Sequence, residues 1–206
     1  SLELIKRHIT SKNLKLPIPL RDEIIRCFNN FYFGKHSNLG GKEWTGFITN
    51  EELLVDKEFF SSLTKNGIMW GFVSGAEKES AIYILEEKLK LRDAPLVAMG
   101  DAPDKPNPIG FLYLAKKLLN CEFSINAPPI AYVGDTIADV KTIINARAQI
   151  PNQRFISIAV SPPHLKIKSN IKERIMYESK LKAAGADYII NSVNDLQKMH
   201  FELFNG

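Results

Sequence analysis

The chain has 206 residues, 45% of them hydrophobic and 24% charged, with a net charge of +4. That balance suits one large domain, or a domain with a small appendage, and excludes a disordered chain. No apolar run approaches the ~20 residues that cross a bilayer, and the start, Ser1 to Arg7, lacks the basic-then-apolar order of a signal peptide. Neither a membrane partner nor an exported protein is expected. Two cysteines, Cys27 and Cys121, stand far apart with no CxxC spacing. They exclude a disulfide scaffold or a four-cysteine zinc site and read as buried or half-buried thiols of a reducing, cytoplasmic compartment.

The positive charge is uneven. Residues 1–50 hold eight Lys/Arg against four acids, and the rest of the chain holds 19 of each sign. The asymmetry points to a separate module with an anionic partner. The basic residues are scattered and Gly-poor, which favours a solvated helical face or the mouth of an anionic small-molecule site over nucleic acid.

Residues 2–9 and 20–33 carry apolar positions at helical spacing (Leu20, Ile24, Cys27, Phe28 and Phe31 in the second), with Asp22 and Glu23 in its first turn. Pro17 and Pro19 break the chain between them, and Gly40-Gly41 before Trp44 reads as a hinge, where Trp44 would pack one module on the next. From Glu51 the pattern changes. A helix over 51–65 stops at Asn66-Gly67, and a short apolar run, 68–73, ends in Ser74-Gly75-Ala76. Helices over 78–89, 108–119 and 139–149 then alternate with apolar runs at 96–99, 130–133 and 155–160, and a last run lies at 188–190. Short continuous apolar runs between helices predict βα units and an α/β fold with a parallel sheet buried on both faces. Ligands of such sheets bind beyond the carboxyl ends of the strands.

Three strand ends carry chemistry. Ser74 can donate its hydroxyl to an anionic oxygen, and the amides of Gly75 and Ala76 are expected to open the next helix and point the same way. Ser-Gly is also ordinary turn chemistry. Lys105 lies in Asp101-Ala-Pro-Asp-Lys-Pro-Asn-Pro108, where the prolines stiffen the loop and turn the lysine into a positioned charge. A plain helix-start turn accounts for Pro108 but not for the Lys105-Pro106 pair. Asp135 and Asp139 follow an apolar strand four residues apart and converge on one point. A carboxylate pair there suits Mg2+, which takes few protein oxygens and keeps several waters. Asp139 alone would pass as a helix cap. Together these groups would hold a phosphoryl group and neutralise its oxygens.

Phe72-Val-Ser-Gly75, Lys105-Pro-Asn-Pro108 and Gly134-Asp-Thr-Ile-Ala-Asp139 resemble, in order and interval, the second, third and fourth motifs of the haloacid dehalogenase (HAD) superfamily. The wider pattern is similar to its subfamily IA. The resemblance implies a Rossmann-like parallel-sheet core over 46–206 and a partial helical C1 cap over 1–45. It implies catalytic roles for Ser74 and Lys105, substrate binding by Ser74, Gly75, Ala76 and Lys105, and Mg2+ ligation by Asp135 and Asp139. Nothing before Ser74 matches the family's first motif, DxDx(T/V), which carries the nucleophilic aspartate on the central strand. The resemblance therefore implies an N-terminal segment beyond this chain that supplies that strand. Without it, unpaired buried backbone groups at about 1–3 kcal/mol each would prevent a complete sheet from forming.

The function implied is a Mg2+-dependent phosphatase of a small phosphorylated metabolite, acting through an aspartyl-phosphate. A phosphomutase on the same scaffold and a non-catalytic HAD-like binding or regulatory protein are the alternatives. A receiver-like signalling domain is disfavoured by the order of Lys105 before Asp135. His8, His36, His164 and His200 show no metal spacing, although His164 lies near the active edge and could touch substrate. Asp101 and Asp104 read as loop carboxylates.

Overall fold

Residues 10–12, 17–34 and 43–199 are described by a computed structural model. The helix expected at 2–9, the Gly40-Gly41 hinge, His8, His36 and His200 lie outside them. The chain divides into two units, Ser1–Glu52 and Leu53–Gly206. Among the described residues no helix is long and apolar enough to cross a membrane.

The first unit is built on α1 (Arg21–Tyr32), with acidic Asp22 and Glu23 in its first turn as expected. Behind it, Phe33 and Trp44 are buried with ring centroids 4.3 Å apart. Trp44 therefore packs inside its own unit. The amides of Thr45 and Gly46 both donate to the Phe33 carbonyl, and a short 3-10 turn, Phe47–Asn50, buries Ile48. A Cβ on Gly46 would overlap the Tyr32 and Phe31 carbonyls, so this closure requires glycine. The apolar side of α1 is another matter: none of its residues is buried, and Phe28, Phe31 and Phe47 border an open groove of about 690 Å³. Cys27 lines this groove and is exposed, as is Cys121, so neither thiol has the burial its residue type suggests.

In the second unit, α2 (Lys57–Lys65) is shorter than the expected 51–65 because Asp56 caps it, accepting from the Phe59 amide at 2.9 Å. Strand β1 (Phe72–Val73) follows, then α3 (Lys78–Ile82), which continues as a π-helical segment over Tyr83–Lys88. Next come β2 (Leu96–Val97), α4 (Ile109–Leu119), β3 (Ile130–Gly134), α5 (Ile137–Gln149), β4 (Phe155–Val160), α6 (Ile171–Ala183) and β5 (Tyr188–Ile190). Every strand pairing is parallel, as the alternating helices require.

Period-two alternation sends β4 into two cores. Ile156, Ile158 and Val160 pack with Ile190 on one side. On the other, Phe155 joins Phe111 of α4 with Ile143 and Ala146 of α5. Phe59, Phe60, Leu85, Leu89 and Leu91 form a further cluster against Phe72 and Leu96.

The expected single sheet is in two pieces: β1 pairs β2, β3 pairs β4 and β4 pairs β5, with no ladder between β1 and β3 among the described residues. The two pieces nonetheless share a core, because Val73, Ile130 and Tyr132 all pack on the Phe111 cluster. Every residue of β3 is half-buried, whereas every residue of β4 is buried. β3 thus has the exposure of an edge strand, although its sequence is that of an interior one.

Candidate active site

Ser74 leaves β1 with its amide still on the ladder, donating to the Val97 carbonyl at 2.8 Å. Its Oγ accepts from the Ala76 amide at 3.0 Å. That bond changes the expected anion site. The Ala76 amide is turned onto Ser74, and the next helix starts at Lys78 rather than at Gly75. The amide orients the serine, whose own proton stays available to a ligand.

Lys105 comes from the loop between β2 and α4. The Asn107 amide donates to the Asp104 carbonyl at 3.0 Å, and Asn107 Oδ1 accepts from the Ile109 amide at the helix start. Asn145 of α5 donates to the Pro106 carbonyl at 2.9 Å and ties the loop to that helix. Ser74, Gly75, Asp104 and Lys105 line one cavity of about 30 Å³, room for roughly one water-sized group. Two of the three sequence-predicted parts therefore meet.

The third part connects through Asp139. Its carboxylate is 5% exposed and accepts from Lys105 Nζ at 2.5 Å through Oδ1. Oδ2 accepts from the Thr136 amide at 3.0 Å and from Thr136 Oγ1 at 2.6 Å, while the Asp139 amide donates back to Thr136 Oγ1. This reciprocal cap starts α5. Gly134 makes it possible, since a Cβ there would overlap Asp139 Cβ and lie 2.5 Å from its Cγ. Burial works against the Asp139 charge, but the Lys105 and Thr136 hydrogen bonds outweigh it and hold the carboxyl below its ordinary range.

Asp135 differs. Its residue is exposed, and its main-chain carbonyl accepts from Tyr177 of α6 at 2.7 Å. Partial desolvation, then the nearby Asp139 charge, push its carboxyl above the ordinary value. Lys105 and His164 oppose that rise, which places His164 within electrostatic reach of the site. Among the described residues no three His, Cys, Asp or Glu side chains gather around one point. The donor set still fits a hard divalent ion in one respect: Asp135 is an under-compensated carboxylate, and Mg2+ needs few protein oxygens. Asp139 has both oxygens engaged, Oδ1 by Lys105 Nζ and Oδ2 by Thr136.

Asp101 accepts from the Ala98 amide and faces Lys78 at 3.5 Å, a loop role as expected. Tyr132, Thr136 and Tyr177 were not singled out from the sequence. For Tyr132 a signal existed: it is the one side chain with a polar tip in an otherwise apolar strand.

A family model described as haloacid dehalogenase-like hydrolase matches residues 36–147. Among solved structures, a phosphonoacetaldehyde hydrolase-like protein from Oleispira antarctica superposes with a TM-score of 0.65 at 19% identity, over 98% of this chain and 75% of that one. A structural-genomics target superposes with a TM-score of 0.58 at 20% identity, over 86% of this chain and 52% of that one. At such identities these likenesses speak for the fold alone. No curated protein matches. With the family model covering more than half of its length, the chain belongs to the haloacid dehalogenase-like hydrolases.

Proposed function

We propose that this chain is the larger part of a Mg2+-dependent phosphatase acting on a small phosphorylated metabolite. The observation that carries the reading is the shared cavity of Ser74 and Lys105, with Lys105 held on Asp139 at 2.5 Å. In this reading the Ser74 hydroxyl donates to one phosphoryl oxygen, and the Gly75 amide lies beside it. The Lys105 ammonium neutralises a second oxygen while Asp139 keeps it in place. Asp135, with waters, holds Mg2+, which supplies charge neutralisation for the phosphoryl group when bound. The excess positive charge of residues 1–50 suits an anionic substrate.

The attacking carboxylate comes from a strand outside this chain, seated between β1 and β3. The half-buried β3, and its lack of a ladder to β1 among the described residues, support that placement. A carboxylate oxygen bonds to phosphorus as the ester P–O bond breaks, and the departing alkoxide takes a proton from solvent water. Water then cleaves the aspartyl-phosphate and phosphate departs. The site's share of the work is charge placement.

The test is hydrolysis of p-nitrophenyl phosphate with Mg2+ by two proteins, the 206-residue chain and a form extended at its N-terminus. Turnover by the extended form, lost in Lys105→Met, is expected. Phosphate binding without turnover in both proteins would overturn the enzyme reading and leave a binding protein.

A further inference from the structure

Besides Lys105, the Tyr132 side chain links the two sheet pieces, from the Val73 carbonyl to Asp139. The Tyr132 hydroxyl lies 3.2 Å from Asp139 Oδ1, 3.3 Å from Lys105 Nζ and 3.4 Å from the Val73 carbonyl. Strand geometry explains why. Phe72 and Ser74 direct their amides to β2, so the alternation of a parallel ladder turns the Val73 carbonyl away from β2 and toward Tyr132. The ring itself is fixed edge-on against Phe111, with centroids 5.4 Å apart. Lys105 Nζ lies 5.9 Å from the Tyr132 ring centroid, within the range of a cation–π contact. Burial, then the Asp139 charge, push the phenol far above its ordinary value, so the hydroxyl keeps its proton and remains a donor. It has one proton and two acceptors, and the charged carboxylate is the nearer.

We propose that Tyr132 is a positioning residue: its hydroxyl fixes the Lys105–Asp139 pair beneath the Ser74 cavity, so that the ammonium meets a phosphoryl oxygen without reorganising. This rests on the phosphoryl-binding reading of Ser74 and Lys105. A lysine stem has four rotatable bonds, and one carboxylate partner leaves its ammonium free to swing. A second oxygen at 3.3 Å and an aromatic face restrict that swing.

The experiment uses the N-terminally extended protein and Tyr132→Phe, which keeps the ring against Phe111 and removes only the hydroxyl. Acetylation of Lys105 by an N-hydroxysuccinimide ester is followed by peptide mass spectrometry, with exposed Lys141 as the reference in the same molecule. Loss of one hydrogen bond to a charged group predicts about ten-fold faster acetylation of Lys105, with Lys141 unchanged. It also predicts a fall in kcat for p-nitrophenyl phosphate of roughly ten-fold, with KM within about two-fold and a thermal midpoint within a few degrees. An unchanged acetylation rate, or faster acetylation with unchanged kcat, would overturn the assignment. If the parent protein turns over no phosphate ester, the phosphatase reading fails separately. Inorganic phosphate then decides the positioning role. Protection of Lys105 in the parent but not in Tyr132→Phe upholds it, and equal protection in both sinks it.

Discussion

Asp135 and Asp139 begin as the same residue type four positions apart and end with opposite electrostatics. Asp139 is clamped by Lys105 and Thr136, and Asp135 is left under-compensated. Asp139→Asn removes the charge from a pair whose carboxylate is 5% and ammonium 24% exposed. The expected cost is about 3 kcal/mol, the lower end for a buried pair because Lys105 keeps some water. Chemical denaturation at neutral pH measures it. Because the folded-state value of Asp139 is lowered, its stabilising contribution is complete above the ordinary carboxyl value and is lost as pH falls below it. The wild-type chain should therefore lose more stability than Asp139→Asn on acidification below about pH 4. For Asp135 the folded-state value is raised, so its contribution runs the other way and disappears as pH rises. A bound cation reverses that penalty. Mg2+ at ten times its Kd should add about 1.4 kcal/mol near neutral pH, seen as a thermal shift of a few degrees. Asp135→Asn should abolish the shift, and a shift that persists in it would move the metal site elsewhere.

At the scale of the element, Ser74 and Asp135 stand just beyond strand ends, and Lys105 is held from its loop by Asp139 of α5. Thr136 and Asp139 cap α5 reciprocally, so the same carboxylate that starts the helix also sets Lys105. Gly134→Ala tests that double use. The added methyl must displace Asp139, and about 1–3 kcal/mol of overpacking cost is expected together with loss of the Lys105 contact. Thermal unfolding and Lys105 acetylation read the two effects separately. Of the elements, α4, α5, β3 and β4 follow their apolar patterns within a few residues. Two readings shifted for local reasons: α2 begins six residues late because Asp56 caps it, and Gly75-Ala76 form a turn closed by Ser74 rather than the start of a helix. Both outcomes depend on which side-chain oxygen meets which amide, and residue type alone leaves that choice open.

The second unit as a whole is organised by a sheet that is in two pieces among the described residues. The Ile130 amide donates to the Arg154 carbonyl, so parallel alternation turns the amides of Ala131 and Val133 away from β4. In the 206-residue chain these two should exchange hydrogen faster than those of Ile130 and Tyr132, by two-dimensional NMR after transfer to D2O. Equal protection would mean that the outer edge of β3 is covered.

The order of βα units and the family were legible in the chain, because apolar periodicity and motif spacing are one-dimensional properties. Tertiary structure decided that Asp139 belongs to Lys105, that the Ala76 amide belongs to Ser74, that Tyr132 spans two sheet pieces, and that the apolar face of α1 stands open. Each of those outcomes is a choice among competing partners. Such a choice is made by distances of 2.5–3.4 Å between residues up to 59 positions apart, which no spacing along the sequence encodes.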